Sequence, residues 1–219
     1  MAHIKPLVCF DLDGTLVDST DAHISAYQEA FKNNNLPTKT FEQIKEKLGI
    51  GVVEVIPILQ PGISNRKLKV CIENHSKFLE ENMDKIMPIP GVHDALKSLK
   101  AKYKVAILSN NIHKDIVKIM KCAGFKVKDF DIIVGADDVE HQKPMPDEIF
   151  KAEKLAHEKA SFMVGDTVYD IRAGKKANVK TIAVLSGVHN LSRLWAENPT
   201  MVVKSVKDLP GILLDYALT

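Results

Sequence analysis

Two aspartates stand two residues apart in Phe10-Asp11-Leu12-Asp13-Gly14-Thr15-Leu16, directly after the apolar run Leu7-Val8-Cys9-Phe10. Such a run is the pattern of a buried strand, and strand side chains at i and i+2 project to the same side. Gly14 lets the backbone turn sharply behind them. Carboxylates so placed repel each other unless a cation or a shared proton compensates them. Further polar residues follow later apolar runs. Ser109, Asn110 and Asn111 follow Leu108, Lys143 lies in His141-Gln142-Lys143-Pro144, and Gly165-Asp166 follows Val164, with Asp170 four residues on. Each has a duller reading. Asp-Gly is a common solvated turn, Ser109 is of a type that caps helices, and Lys143 is one of 30 basic residues. Asp166 could cap a helix beginning near Val168, and Asp170 could be an exposed acid favoured by that helix's dipole. Their shared placement just after apolar runs weighs against coincidence.

The elements that would hold these residues are legible from periodicity. Besides the first run, strands are expected at Val105–Leu108, Ile132–Val134, Phe162–Val164 and Ile182–Leu185. Helical segments separate them, with Leu96 and Leu99, then Ile116, Ile119 and Met120, on apolar faces. Phe150, Ala152, Leu155 and Ala156 mark the helix before the fourth strand; Ile171, Ala173 and Ala177 mark the one after it. Lys207 to Leu218 reads as a closing helix. Alternating strands and helices predict an α/β fold, a Rossmann-like doubly wound parallel sheet covered on both faces. Ligand sites of such sheets lie at the carboxyl ends of the strands, near the switch in strand order, where all the polar residues above fall.

Residues 18–87 break the rhythm with helical periodicity and no convincing strand. Ile24, Tyr27, Ala30 and Phe31 share a face, as do Phe41, Ile44 and Leu48, and Leu68, Cys71, Ile72, His75 and Leu79 continue the pattern. The expected organisation is therefore an α/β core domain of residues 1–17 and 88–219, with an all-α domain, 18–87, inserted after the first strand.

With 219 residues, 45% of them hydrophobic and 26% charged, the chain has material for a sizeable core. A net charge of +2 without a basic run predicts no nucleic-acid partner. Cys9, Cys71 and Cys122 are odd in number and widely spaced, which suits a reducing compartment better than a disulfide or zinc framework. No stretch is long enough to span a membrane, and residues 1–6 leave no room for a signal peptide, so a cytoplasmic location is expected. The eight histidines lack metal-ligand spacing; His23 and His141 are the two placed nearest the cleft.

Taken in order, Asp11-Leu12-Asp13-Gly14-Thr15, Ser109, Lys143 and Gly165-Asp166 through Asp170 resemble the haloacid dehalogenase superfamily, over essentially the whole chain. The helical insertion resembles the cap of the subclass containing phosphoglycolate phosphatase and β-phosphoglucomutase. The resemblance implies phosphoryl transfer with Mg²⁺ held by the carboxylate of Asp11, the backbone carbonyl of Asp13 and the carboxylate of Asp166, with Asp170 either supporting those ligands from behind or reaching the metal through water. It implies Asp11 as nucleophile, Asp13 as general acid and base, and Ser109, Asn110 and Lys143 as phosphate binders. A cation is also what electrostatics asks for. Each like-charge pair near 4 Å costs about 4 kcal/mol at an effective dielectric of roughly 20, more than ordinary hydrogen bonds offset, and hard oxygen donors suit Mg²⁺.

Asp13 argues against dehalogenation proper, and Gly165-Asp166-Thr167-Val168-Tyr169-Asp170 resembles the phosphatase branch more than the mutases, which usually carry adjacent acids there. The expected activity is hydrolysis of a small phosphorylated metabolite, the alternative a mutase of the β-phosphoglucomutase type. A receiver-like phospho-accepting module is a third reading, but it needs neither the insertion nor Asp13. Gly49-Ile50-Gly51 resembles the cap loop facing the cleft, with an ordinary helix terminus as its plain reading. Arg66 is read as solvated rather than as a partner for a substrate carboxylate, and Asn178 stands where relatives often have glycine.

Overall fold

The computed structural model describes residues 5–216. The first apolar run forms β1 (Leu7–Phe10), and the others give β4 (Lys104–Ser109), β5 (Ile132–Gly135), β6 (Ala160–Gly165) and β7 (Lys180–Val184). With β8 (Met201–Val203) they make one parallel sheet in the order β5-β4-β1-β6-β7-β8. β1 is interior. The chain builds to β4 and β5 on one side and to β6, β7 and β8 on the other, so the strand order switches beside β1. The sheet is doubly wound, as expected.

Alternation along β1 divides its side chains between two cores. Val8 and Phe10 enter one cluster with Val105, Ile107 and Val164. The helices α5 (Val92–Leu99), α6 (His113–Cys122) and α10 (Leu209–Tyr216) cover that face. Leu7 and Cys9 enter the other with Ala106 and Leu108, under α7 (Asp147–Ala156) and α8 (Val168–Lys176). Cys9 is a small core residue, and burial pushes its thiol far above the usual range.

Between β1 and α5 lie β2 (Val17–Asp18), α1 (Thr20–Asn33), α2 (Phe41–Lys45), α3 (Val52–Leu59), α4 (Asn65–Glu81) and β3 (Met87–Pro88). The helices pack on each other through Ile24, Tyr27, Phe31, Ile44, Ile56 and Cys71. β2 and β3 pair antiparallel, Val17 opposite Pro88, so the chain leaves for these helices and returns from them at one place.

Several expectations need correction. Phe150 and Leu155 are 46% and 51% exposed; Ile149, Ala152 and Ala156 form the inner face of α7 instead. Phe41 is exposed, and Leu79 packs into the sheet's core rather than that of the helices. The fifth expected strand ends at Val184, not Leu185. The closing helix begins at Leu209 after a 3₁₀ turn at Val206–Asp208; residues 217–219 lie outside the described residues. β2, β3, β8 and α9 (Leu191–Trp195) were not foreseen. Among the described residues no helix is long and apolar enough to cross a membrane.

Candidate active site

Asp11 continues the path of β1, its N–H bonded to Val164 O at 2.8 Å. The chain then turns over Leu12, whose carbonyl accepts from the N–H groups of Thr15, Leu16 and Val17. Gly14 makes that turn possible at φ +79°, and a Cβ there would stand 2.5 Å from Asp166 Oδ2. Backbone geometry and the approach of Asp166 both exclude a side chain.

Four strand ends deliver their residues to this point. Lys143 is buried, and its Nζ donates to Asp11 Oδ1 at 2.6 Å, Asp170 Oδ1 at 2.8 Å and Leu108 O at 2.9 Å. Its loop is held by Asn110, whose Oδ1 accepts the Lys143 N–H at 3.0 Å while Nδ2 donates to Lys143 O at 3.0 Å and Gly49 O at 2.8 Å. Ser109 caps no helix; its Oγ accepts the Asn111 N–H at 3.2 Å. Asp166 is fully buried, with Oδ1 accepting from Thr15 Oγ1 at 3.1 Å and Oδ2 from the Val188 N–H at 2.8 Å. Thr167, not Asp166, caps α8, in a reciprocal capping box with Asp170. Asp170 is buried rather than exposed: Oδ2 serves Thr167 and Oδ1 serves Lys143.

One carboxylate oxygen from each of Asp11, Asp166 and Asp170 lies within 4.8 Å of the others. Among the described residues one buried ammonium, that of Lys143, serves this cluster, and it pairs with two of the three acids. Burial pushes the Asp11 carboxyl well up, Lys143 works against that, and the neighbouring acids push further. Burial, then Asp170, takes Asp166 up to about 7. Burial alone would lower Lys143, but Asp11 and Asp170 hold its ammonium far above the usual range. Three hard-oxygen acids short of positive charge fit a small divalent cation; Asp166 meets only neutral donors, and Lys143 takes only Oδ1 of Asp11.

Asp13 points elsewhere. Its Oδ1 accepts from Ser19 Oγ at 2.5 Å and pairs with His23 Nε2 at 3.3 Å; Oδ2 accepts from Asn111 Nδ2 at 2.5 Å. Burial would raise this carboxyl, yet His23 and the three hydrogen bonds bring it below the ordinary value. Asp11, Asp13, Ser109 and Asn110 line a cavity of about 50 Å³ that is closed on the far side by Tyr27, Leu48 and Ile50.

The family described as haloacid dehalogenase-like hydrolase matches residues 8–184. The chain belongs to the haloacid dehalogenase-like hydrolases. It is 29% identical to "Probable phosphatase IndB" of Dickeya dadantii over 95% of this chain and 93% of that protein. It is 30% identical to pyrophosphatase PpaX of Halalkalibacterium halodurans, over 94% of this chain and 95% of that one. A solved hydrolase from Pseudomonas syringae superposes with a TM-score of 0.86 at 25% identity, covering 96% of this chain and 98% of the other. A structure described as a predicted phosphoglycolate phosphatase from Haemophilus somnus matches at TM-score 0.81 and 22% identity, over 97% and 99%. At that identity it speaks for the fold. The expected superfamily is thereby borne out, and with it an enzyme of the phosphatase kind.

In this hydrolase the sequence found Asp11, Asp13, Ser109, Asn110, Lys143, Asp166 and Asp170, and the fold brings all of them to one crevice. His23 reaches the cleft; His141 does not, pairing at the surface with Asp147 at 3.2 Å. Arg66 is exposed on α4. Gly49 and Ile50 line the cavity, and Gly51 is the N-cap residue of α3.

Sequence reasoning missed Ser19, Gly187, Val188 and His189. Ser19 precedes α1 and reads as its cap, but its hydroxyl turns to Asp13 instead. Gly187 and Val188 follow the fifth apolar run, where the rule that found the other residues, if applied again, points to them. A Cβ on Gly187 would fall 1.9 Å from Asp166 Oδ2, so only glycine lets this loop close on the acid. His189 Nδ1 accepts the Val168 N–H at 3.0 Å; burial and Arg193 bring its ring down to about 4, which keeps it a neutral acceptor.

Proposed function

We propose that this hydrolase is a Mg²⁺-dependent phosphatase of a small phosphorylated metabolite, with Asp11 as nucleophile and Asp13 as general acid and base. The observation that carries the reading is the division of labour between two aspartates two residues apart. Asp11 lies against Lys143 within the acid cluster, and Asp13 is turned out of it by Ser19, His23 and Asn111.

Bound between Asp11, the Asp13 carbonyl and Asp166, Mg²⁺ would offset the repulsion between the acids and an incoming phosphate dianion. Lys143 balances further charge and fixes the Asp11 carboxylate for in-line attack, while Ser109 and the Asn110 N–H hold phosphate oxygens. An Asp11 oxygen forms the bond to phosphorus as the ester oxygen leaves with its electron pair, and that oxygen takes the Asp13 proton. Water then attacks the aspartyl phosphate, giving its proton to Asp13 and releasing inorganic phosphate and free Asp11. The substrate's own negative charge raises the proton affinity of Asp13 at the moment an acid is needed. The helices between β2 and β3 act as a cap that excludes water.

p-Nitrophenyl phosphate with Mg²⁺ tests this directly. Continuous turnover, lost in Asp11→Asn with the fold intact by circular dichroism, is the expected result. Stoichiometric phosphorylation without turnover would instead select a phospho-accepting module.

A further inference from the structure

We propose that the leaving-group side of this pocket is built for a short, uncharged, hydroxyl-bearing alcohol and selects against a carboxylate or a second phosphate on the ester. The inference rests on the phosphatase reading above and narrows it. Asp13 marks where the ester oxygen departs, so the atoms beyond it are what the rest of the substrate meets. Four of the lining residues there are aliphatic: Leu48, Ile50, Val52 and Val188. The polar groups beside them are neutral. Ser19, Thr20 and Tyr27 offer hydroxyls, and burial, then Asp13, drives the Tyr27 phenol further from ionisation.

Positive charge is already committed elsewhere. His23 is the one basic residue lining the cavity among the described residues, and its ring lies on Asp13 at 3.3 Å, stacked at 5.6 Å on His75. Burial holds His75 neutral. Lys143 is shared between Asp11 and Asp170. The lysines of the α2–α3 connection turn away, Lys45 over the Phe41 ring and Lys47 onto Glu46 at 2.9 Å. A carboxylate or phosphate on the leaving group would thus lose its water against aliphatic walls with no uncommitted cation in the lining to pair with it. A hydroxyl in the same place finds hydroxyl partners and aliphatic walls. The cavity of about 50 Å³ is small, which suits a leaving group of a few atoms.

A matched pair of esters provides the test, 2-hydroxyethyl phosphate against 2-phosphoglycolate, which exchange a hydroxymethyl for a carboxylate, with inorganic pyrophosphate as the third substrate. The expected kcat/KM for the hydroxyethyl ester exceeds that for either anionic compound by at least tenfold. Ile50→Lys, and independently Val52→Lys on the neighbouring turn, should shrink the ratio by about tenfold through gained turnover of phosphoglycolate. Equal or preferred hydrolysis of phosphoglycolate or pyrophosphate by the unmodified protein overturns the assignment and leaves the phosphatase standing. An unchanged ratio in both folded lysine variants also overturns it, because that wall would then not face the leaving group. Failure to hydrolyse any of the three or p-nitrophenyl phosphate removes the phosphatase reading itself.

Discussion

Asp11 and Asp13 are the same residue, two positions apart on one strand end, yet their carboxyls are displaced in opposite directions. Asp11 lies among Asp166, Asp170 and Lys143, where burial and like charges favour its protonated form. Asp13 is surrounded by donors, where His23, Ser19 and Asn111 outweigh burial and favour its ionised form. The lesson is that neighbours assign the roles. A carboxyl that lacks compensating charge is a place for a cation, and one that is well supplied with donors keeps its proton only when a second anion arrives.

The largest effect that would break this contrast is on the nucleophile. Asp11→Asn is expected to lower kcat for p-nitrophenyl phosphate by at least ~10³-fold, measured beside a circular dichroism spectrum. Retention of most of the rate removes Asp11 from its role. Asp13→Asn should cost about 10²–10⁴-fold for alkyl phosphates and much less for p-nitrophenyl phosphate, whose leaving group needs little protonation. Equal losses on both would make Asp13 a mere spacer.

The contrast also predicts a dependence of stability on pH. With Asp166 up to about 7 from 3.8, the metal-free folded state holds more protons than the unfolded chain between those values. Its contribution to stability therefore falls as pH rises through that window and is level above it. The depressed Asp13 acts only below the ordinary carboxylate value, outside this window. His75 and His189, buried neutral, pull the other way below the ordinary imidazole value, so an Asp166→Asn variant isolates the acid. The melting temperature of chelated protein relative to that variant should fall by a few degrees from pH 5 to pH 8, and Mg²⁺ should restore more at pH 8, where no proton competes with it. Equal stabilisation by Mg²⁺ at both pH values, by scanning calorimetry, would contradict the cluster's need for a cation. The smallest effect is expected from His23→Gln, which keeps a hydrogen-bond donor but removes the imidazole beside Asp13. Asp13 should titrate higher, so the alkaline limb of kcat/KM shifts upward while the rate at neutral pH falls about tenfold or less. An unmoved limb would separate His23 from the acid.

Much of this was readable in the chain because the two strongest signals coincide. Apolar runs of three or four residues and the chemistry-bearing residues that follow them report the same strand ends. What escaped had weaker local signatures. β2 and β3 are two residues each, and β8 three, too short for alternation to register. Phe150 and Leu155 are large and apolar, so they read as core; the small residues Ala152 and Ala156 take the inner face because α7 lies close to the sheet. Ser19 and Val188 matter only through partners far along the chain, and no local pattern encodes a meeting of Val188 with Asp166.

The amide of Asn110 spans three separate pieces of the molecule, and one of its three hydrogen bonds differs in kind from the rest. Two of its bonds tie the lysine loop to β4, and the remaining one runs to Gly49 O in the helical insertion. Any displacement of those helices would part the Gly49 link along with the bonds of Ser76 to Asp115 and of Glu80 to Lys118, while the two bonds within the core would keep the ammonium in register. The lysine that holds Asp11 is thus anchored by the α/β core alone, through Leu108 and Asn110, and owes its place to nothing in the inserted helices.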